Sequence, residues 1–577
     1  MLHQFDYIFA LGIIFAFLDA WNIGANDVAN SFATSVSSRS LTLRQAMMIA
    51  SVCEFLGALL VGARVADTIR SKILNVALFK EDPAILMLGM LCALVGSSTF
   101  LTIATRFGMP VSTTHCILGG VIGVGIAAVG ADGVNWGWKG VSQVFAAWVI
   151  APCIAGIFGA IVFIISKYSI LKRKQSVKAG LIMLPIFFGF TASVLTMVIV
   201  WKGAPNLKLD NWSTGKIVGT IFGVGGAVAL ICALFFVPFL HRRLIMNDWQ
   251  LKNRHIIYGP LLLYRGPVPE RPESEQVEVV QDYYRGHKTK AQLEEDVDRT
   301  VIADLENNKE ARISSISRDD TSSDEISRPA ASTRTELDAE QKPRDVKTWY
   351  KDRENLTPAN MFQLLKKAFL HGVDQDVIAD QKKASIISGD IDKMHAEVEQ
   401  FDNKTEHLFS FLQVMTAATA SFAHGSNDVS NAIGPLSTIY LIWSTEELSS
   451  KAPVPIWVLC FGGAAIVIGL WTYGYNIMRN LGNRLTLHSP SRGFSMEFGS
   501  ALTVVMATRL ALPISTTQCI TGATVGVGLC TGTLKAINWR MIAWIYLGWL
   551  ITLPCTGIIA GCLMGLIINA PRWGLSV

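Results

Sequence analysis

The chain has 577 residues, a formal net charge of +5 and 10 cysteines; 51% of its residues are hydrophobic and 16% are charged. Together with a mean hydropathy of +0.38, these values predict an all-α polytopic membrane protein, because apolar runs repeatedly reach the roughly 20 residues that span a bilayer. The cysteines form no Cys-x-x-Cys pair, so the usual zinc and redox motifs are excluded. We find no nucleophile triad or Walker motif, and we expect neither an enzyme nor a nucleic-acid partner.

The apolar segments fall into two groups in chain order. Seven precede a long polar stretch, near residues 7–25, 43–63, 84–105, 111–130, 141–166, 181–201 and 216–240. Five follow it, near residues 407–440, 454–474, 494–510, 513–533 and 541–569. The sequence therefore predicts about twelve transmembrane helices. The domain prediction is a first membrane repeat at 1–166, connector helices at 181–240, a polar loop at 241–405 and a second membrane repeat at 406–577.

Positive charges beside two segments predict the orientation of the chain. Lysines and arginines follow the fifth segment at 167–178 and the ninth at 479–492, and the positive-inside rule places both loops in the cytoplasm. Counting outward puts the central loop inside and both termini outside. The loop after the sixth segment then faces out, and its sequon at Asn211 is a candidate glycosylation site. Because the central loop is rich in charge and poor in aromatic residues, we expect it to be largely disordered, with interfacial helices near the membrane.

One polar phrase occurs twice inside apolar regions, as Gly24-Ala-Asn-Asp-Val-Ala-Asn30 and Gly425-Ser-Asn-Asp-Val-Ser-Asn431. Each copy places a carboxylate at bilayer depth, where an ionisable group is costly and usually serves a solute. Carboxylate and carboxamide oxygens suit Na+, and the nearby glycines would permit a helix break that frees backbone carbonyls for the ion. The candidate sodium ligands are Asn26, Asp27, Asn30, Asn427, Asp428 and Asn431. The alternative is that these side chains only join neighbouring helices.

A second phrase is also duplicated, as Pro110-Val-Ser-Thr-Thr and Pro513-Ile-Ser-Thr-Thr. A proline followed by hydroxyls predicts a helix that begins at Pro110 or Pro513, with unpaired N–H groups at its start. Such a terminus favours oxyanions such as phosphate, and hydroxyls add donors without a permanent charge. The candidate phosphate ligands are Ser112, Thr113, Thr114, Ser515, Thr516 and Thr517. Alternatively, the hydroxyls bond back to their own helices.

The two kinds of cluster predict coupling between an anion and a cation. Asp27 and Asp428 would repel a nearby phosphate unless a cation lay between them, because like charges interact strongly where water is scarce. Bound Na+ would remove that penalty, so each solute would raise the affinity for the other. Glu54 and Glu497 are further carboxylates within apolar runs, and we consider them candidates for gating or coupling. They could equally be paired with a neighbouring helix or protonated.

The order of the segments predicts an inverted repeat. Seven crossings separate the two Asn-Asp phrases if each half has five segments, and an odd number places equivalent points in opposite orientation. Inverted repeats of this kind enclose one site at the bilayer midplane, built from broken or re-entrant helices. The fold prediction is therefore about twelve transmembrane helices with broken or re-entrant helices at a midplane site.

The doubled motifs, Gly-x-Asn-Asp-Val-x-Asn at 24–30 and 425–431 with Pro-x-Ser-Thr-Thr at 110–114 and 513–517, closely resemble the inorganic phosphate transporter (PiT) family. The resemblance covers both membrane halves, and the long central loop is similar to that of eukaryotic members, fungal ones among them. It implies a plasma-membrane symporter that imports phosphate with Na+ as the coupling ion, without a further cofactor, and that forms a homodimer in the lipid bilayer. It also implies that Asp27 and Asp428 are cation-linked carboxylates.

We therefore expect a secondary active symporter that imports inorganic phosphate with Na+ by alternating access. A proton-coupled phosphate or sulfate transporter is the nearest alternative, with Glu54 as a candidate proton site. A phosphate receptor that signals through the central loop is an alternative of a different class.

Overall fold

The computed structural model describes residues 2–63, 73–138, 140–201, 209, 212–270, 279–296, 298–299, 370–383, 387–446, 448, 454–510, 512 and 514–570. The chain divides into two units, one formed by residues 1–287 and 371–577 and the other by residues 288–370. The described part of the smaller unit contains a short helix at 290–296 and an ion pair of 2.8 Å between Lys288 and Asp296. The predicted sequon residue Asn211 and most of the central loop lie outside the described residues.

The larger unit is helical. In the part of the chain that the structure describes, twelve helices have 14 residues or more. Those before the polar loop are α1 (Asp6–Ser37), α2 (Leu43–Val61), α3 (Pro83–Arg106), α4 (Thr113–Val129), α5 (Val141–Ser166), α6 (Ser176–Val200) and α7 (Thr214–Ile231). Those after it are α8 (Asn403–Thr445), α9 (Ile456–Tyr473), α10 (Pro490–Arg509), α11 (Thr516–Leu529) and α12 (Trp539–Asn569). These bounds match the order and approximate limits of the predicted apolar segments.

Eight helical stretches in the described chain are long and apolar enough to cross a membrane. They comprise α1, α2, α3, α5, α6, α9, α12 and α7 with its continuation to Ile245. The helix α4 is apolar but has only 17 residues. The helix α8 has 43 residues, but many of them are buried polar side chains, which lower its hydropathy. The structure confirms the helical class predicted from the sequence. It also agrees with the prediction that the chain crosses the membrane several times.

The helices of one half pack against those of the other. The helix α1 packs against α9, and α8 packs in the equivalent way against α2. The same exchange occurs between α4 and α12 and between α11 and α5. Glycine permits the first two contacts, because a Cβ at Gly24 would collide with the carbonyl oxygen of Ile466 and a Cβ at Gly425 with that of Glu54.

These close contacts correct one expectation from the sequence. The helix break expected beside the Asn-Asp phrases is absent, since α1 and α8 both continue through them. The glycines instead allow neighbouring backbones to approach. The interruption lies at the Ser-Thr-Thr phrase, where residues 107–112 separate α3 from α4. The helix expected to start at Pro110 starts at Thr113, because the Ser112 side chain caps it by accepting the His115 N–H.

The ends of the polar loop fold against the helices at one end of the bundle, which we call the loop end. At its start, buried Arg242 pairs with Asp248 at 3.1 Å and donates to the Leu262 carbonyl at 3.1 Å. At its finish, a short helix at Ile391–Ala396 precedes α8. Tyr284 joins the two parts by donating to Glu406 at 2.8 Å. The described portions of the loop are therefore ordered.

Two buried histidines make a further contact between the loop's start and finish. His287 and His395 place their Nδ1 atoms 2.9 Å apart, and His395 Nε2 lies 2.7 Å from the Asn483 carbonyl. Burial lowers the pKa of His287 to about 3, with the positive charges of Lys382 and Arg39 adding to the effect. Burial likewise lowers the pKa of His395 to about 4. Both imidazoles are therefore neutral at pH 7.

We predict that this contact loosens under acid conditions. Because each folded pKa lies below the usual value of 6.5, the detached segments take up protons first as pH falls below 6.5, and each histidine then disfavours the contact by about 2 kcal/mol near pH 5. Hydrogen–deuterium exchange of peptides covering 283–287 and 391–398, corrected for intrinsic rates, should rise between about pH 7.5 and about pH 5. His287→Gln should weaken that dependence; equal protection at both pH values would contradict the prediction.

Candidate functional site

The two duplicated phrases meet inside the bundle. Thr113 lies at the first residue of α4 and Thr516 at the first residue of α11. The Thr113 hydroxyl donates to Asp27 Oδ2 at 2.8 Å, and the Thr516 hydroxyl donates to Asp428 Oδ2 at 2.9 Å. Each half therefore makes the same bond between its aspartate and its own helix start. All four side chains are buried.

A second set of bonds crosses between the halves. Asn30 donates to Thr517 at 2.9 Å and to Thr516 at 3.3 Å. Asn431 donates in the equivalent way to Thr114 at 3.2 Å and to Thr113 at 3.3 Å. The hydroxyl of Thr517 also lies 3.2 Å from Asp27 Oδ1. These crossing bonds place both Asn-Asp phrases and both Ser-Thr-Thr phrases in one buried cluster, which we call the central cluster.

The remaining predicted ligands bond within their own half. Asn26 donates to Thr105 at 3.0 Å and to the Met109 carbonyl at 3.1 Å, and its oxygen accepts the Val111 N–H at 3.2 Å. These bonds hold the connection between α3 and α4. Asn427 donates to its neighbour Asp428 at 2.7 Å. Ser112 and Ser515 each accept an N–H of their own helix, at 3.2 and 3.4 Å.

His424, which is not among the residues predicted from the sequence, joins the aspartates to Glu54. Its Nε2 lies 3.0 Å from Asp428 Oδ2 and 3.5 Å from Asp27 Oδ2, while its Nδ1 lies 2.7 Å from Glu54 Oε2. Ser421 donates to the other Glu54 oxygen at 3.0 Å. A signal was available, because His424 precedes Asp428 by four residues and so shares its face of α8.

The contact between His424 of α8 and Glu54 of α2 joins the two halves, and its equivalent between α1 and α9 is apolar. The matched glycines set the register, since Gly24 approaches Ile466 and Gly425 approaches Glu54. Ile466 therefore occupies the position equivalent to Glu54, and Ile23, which precedes Gly24, occupies the position equivalent to His424. The positions on α1 and α9 that are equivalent to His424 and Glu54 are therefore apolar.

Glu497 lies in a separate network. Its Oε1 accepts from Thr34 at 2.5 Å, Ser35 at 2.7 Å and Gln413 at 3.1 Å, and its Oε2 accepts from Thr416 at 2.6 Å. The network joins α1, α8 and α10. Four neutral donors satisfy this buried carboxylate without a cation. Glu54 and Glu497, which were predicted together, thus have different surroundings.

The central cluster has little positive charge to balance its carboxylates. Ligand atoms of Asp27, His424 and Asp428 lie within 4.8 Å of one another, an arrangement that could hold a metal ion. In the described chain, no lysine or arginine lies within ion-pair distance of Asp27, Asp428 or Glu54. Oxygen ligands of this kind suit a hard cation. The arrangement therefore favours binding of a small cation at the aspartates.

Comparison with known proteins identifies the family of the chain. A family model described as the phosphate transporter family matches residues 23–560. The chain belongs to that family. This family consists of membrane phosphate transporters and not of enzymes.

Individual relatives match over nearly the whole transporter. The chain is 54% identical to the phosphate-repressible phosphate permease pho-4 of Neurospora crassa, over 100% of both chains. It is 32% identical to sodium-dependent phosphate transporter 1 of Mus musculus, over 97% of this chain and 95% of that one. A solved structure described as the sodium-dependent phosphate transporter matches with a TM-score of 0.64 and 25% identity, covering 98% of this chain and 100% of that one.

We predict that Glu54 and His424 act on stability as a pair. Removing one partner of a buried ion pair typically costs about 3–5 kcal/mol, so Glu54→Ile and His424→Ile should each lower the thermal midpoint in detergent, measured by tryptophan fluorescence. The double variant reproduces the isoleucines found at the equivalent positions, Ile466 and Ile23, and should recover part of that loss. Ser421→Ala, which removes only a neutral bond to Glu54, should cost about 1 kcal/mol. Additive effects of the two isoleucine variants would contradict the pairing.

Proposed function

We propose that this transporter imports inorganic phosphate together with Na+ by alternating access. The main support is the buried pair of carboxylates in the central cluster, where Asp27 and Asp428 share a site with His424 and have no lysine or arginine partner among the described residues. A transporter that binds an anion beside two aspartates needs a cation to offset their repulsion. Na+ meets this need, and the oxygens of Asp27, Asp428 and the neighbouring asparagines are suitable ligands.

The hydroxyls of the helix starts provide a physical link between cation and anion. Thr113 and Thr516 each have one hydroxyl proton, and each now donates it to an aspartate. When Na+ takes the aspartate oxygens, those protons become free to bond phosphate. The N–H groups and dipoles at the starts of α4 and α11 favour the same anion. Sodium binding thus completes the phosphate site, which is the linkage that symport requires.

The other predicted phosphate ligands have graded roles in this proposal. Thr114 and Thr517 each accept a hydrogen bond from the asparagine of the opposite half. Phosphate binding to these threonines would therefore depend on how the two halves are arranged. Ser112 and Ser515 use their oxygens as helix caps, but each hydroxyl proton could still be donated to the anion. The hydrogen bonds of Asn30 and Asn431 cross between the halves, and they would break and reform as the halves move.

The exchanged contacts of the two halves support an inverted repeat. The pairing of α1 with α9 and of α8 with α2 is the relation expected of two similar halves about a pseudo-two-fold axis. In our proposal the axis passes through the central cluster, and one half moves against the other to open the site to each side in turn. The cluster's crossing bonds would break and reform between these states. Glu497 would act at the contact of α1, α8 and α10 as a gating residue.

We further propose a plasma-membrane homodimer with both termini outside and the loop end cytoplasmic. The charged residues at 167–178 and 479–492 support this orientation. The sodium-dependent names of the mouse transporter and of the solved structure support Na+ as the coupling ion. Glycosylation at Asn211 follows from the same orientation.

A second candidate is coupling to protons. The contact of 2.7 Å between His424 and Glu54 favours it, because an imidazole and a carboxylate can exchange a proton within the site. His424 also lies 3.0 Å from Asp428 Oδ2, so a proton held on its imidazole would offset the charge of Asp428 as Na+ does.

Uptake into vesicles distinguishes the two coupling ions. Purified protein in liposomes should accumulate radiolabelled phosphate under an inward Na+ gradient and fail to do so under an equal K+ gradient or a pH gradient alone. Uptake with the pH gradient alone would replace Na+ by H+ as the coupling ion. Absence of phosphate uptake under every gradient would contradict the proposal as a whole.

We predict that Asp27→Asn and Asp428→Asn each remove most Na+-driven uptake. Each change retains the size of the side chain but removes one of the two aspartate charges. The site should therefore bind Na+ more weakly. Phosphate binding should also depend less on Na+, because the remaining repulsion is smaller. The dependence of initial rate on Na+ concentration should shift to higher concentrations by about tenfold or more. Asp132→Asn, at an exposed position, is the matched control. Unchanged Na+ dependence in both cluster variants would reject the assignment.

A further inference from the structure

A cavity lies at the loop end, away from the central cluster. It has a volume of about 800 Å³, within the range typical of sites for small molecules and lipids. Its walls come from α2, α6, α7, α8 and the loop segments that follow α7. All of these residues belong to the larger unit.

The cavity has an apolar half and a polar half. The apolar half is formed by helix residues that include Ile49, Phe188, Phe236, Phe411, Met415 and Ala418. The polar half includes Arg243, Asn253, Gln281, Tyr283 and His407. Among the described residues, the lining includes an arginine but no aspartate or glutamate. An occupant that matches this lining has an apolar part and an anionic part.

Arg243 has no anionic partner within the described residues. Its guanidinium donates to the Asn253 side-chain oxygen at 2.5 Å and to the Val279 carbonyl at 3.2 Å, and both acceptors are neutral. The adjacent Arg242 differs, because its charge is matched by Asp248 at 3.1 Å. An anion bound in the cavity would supply the counter-charge that Arg243 lacks.

His407 provides a second polar group without a complete set of partners. It is 9% exposed, its Nδ1 lies 2.8 Å from the Tyr283 hydroxyl, and its Nε2 has no hydrogen-bond partner among the described residues. When the Tyr283 hydroxyl donates to Nδ1, the neutral imidazole carries its proton on Nε2 and can donate it. His407 and Arg243 both line the cavity.

The position of the cavity identifies the source of an amphiphilic occupant. The candidate span that contains α7 is only 11% buried inside the protein. That helix therefore forms an outer wall of the bundle and faces the bilayer. Phe236 and Arg243 both line the cavity, and both lie in the continuation of α7 beyond Ile231. A membrane lipid at this level can place its acyl chain against the apolar half and its headgroup beside Arg243.

We propose that this cavity binds an anionic membrane phospholipid. The headgroup phosphate lies beside Arg243 and His407, and part of an acyl chain lies against Phe188, Phe236 and Phe411. The site is distinct from the central cluster and does not depend on which ion drives transport. Its occupant contacts α2, α6, α7 and α8 together, so it fastens the connector helices to both halves.

Native mass spectrometry of the full-length protein in detergent tests the proposal. The probes are dioleoyl phosphatidic acid and dioleoyl phosphatidylcholine, which share their acyl chains and differ in headgroup charge. Phosphatidic acid should remain bound at concentrations where phosphatidylcholine is lost. Arg243→Gln should weaken its binding about tenfold or more, while Arg254→Gln, an equal charge change outside the cavity lining, should leave it unchanged.

A second pair of variants tests the apolar half. Ala418→Phe fills space beside the proposed acyl chain and should also weaken phosphatidic acid binding. Ala227→Phe adds the same ring at an exposed position of α7 and should have no effect. Size-exclusion profiles and thermal midpoints verify that each variant is folded.

The possible outcomes separate the sources of the phosphate group. Equal binding of the two lipids, or an unchanged affinity in Arg243→Gln, would overturn the proposal. Competition by inorganic phosphate at the concentration of the lipid, together with no effect of Ala418→Phe, would indicate a site for free phosphate and would also overturn it. Binding that requires both the charge of Arg243 and the open apolar half would establish the lipid site.

Discussion

The buried pair of aspartates is the constraint on which the rest of this transporter depends. Asp27 and Asp428 come from different halves, yet their oxygens and His424 lie within 4.8 Å of one another. Like charges at such a separation repel strongly in a medium of low dielectric constant. Hydroxyls of Thr113 and Thr516 and the imidazole of His424 offset part of that repulsion. A cation would offset more, and this electrostatic effect is the basis of the proposed link between phosphate transport and cation binding.

The same constraint explains why the halves are similar in backbone and different in a few side chains. Similar halves bring equivalent helix starts to one point, which gives the anion donors from two directions. Identical halves would also duplicate every charge. The polar pair of Glu54 and His424 occurs once, and its counterparts are Ile466 and Ile23. The site therefore contains one pair of ionisable side chains beside the aspartates, Glu54 and His424, and no second pair is buried at the equivalent positions.

The described parts of the polar loop contact the helices at the loop end of the bundle. Tyr284 and Ser491 both donate to Glu406 near the start of α8, at 2.8 and 2.9 Å. Gln413, further along α8, donates to Glu497 and accepts from Ser40 at 2.6 Å. The loop end, the gating candidate Glu497 and the central cluster are thus attached to the same helix. Movement of α8 would act on all three.

The sequence by itself determined the helical membrane class, the order of the segments and the residue types of the site. These follow from local rules, since apolar length predicts a span and a duplicated polar phrase at bilayer depth indicates a solute site. The sequence could not reveal that Asn30 bonds Thr517 or that Asn431 bonds Thr114, because those partners lie on the opposite half. The helix start at Thr113 instead of Pro110 depends on the Ser112 cap, a choice among neighbouring hydroxyls that pattern alone does not make. Only the tertiary structure placed His424 between Glu54 and the aspartates and separated Glu497 from them, because the surroundings of a buried charge are set by helix packing and not by its place in the chain.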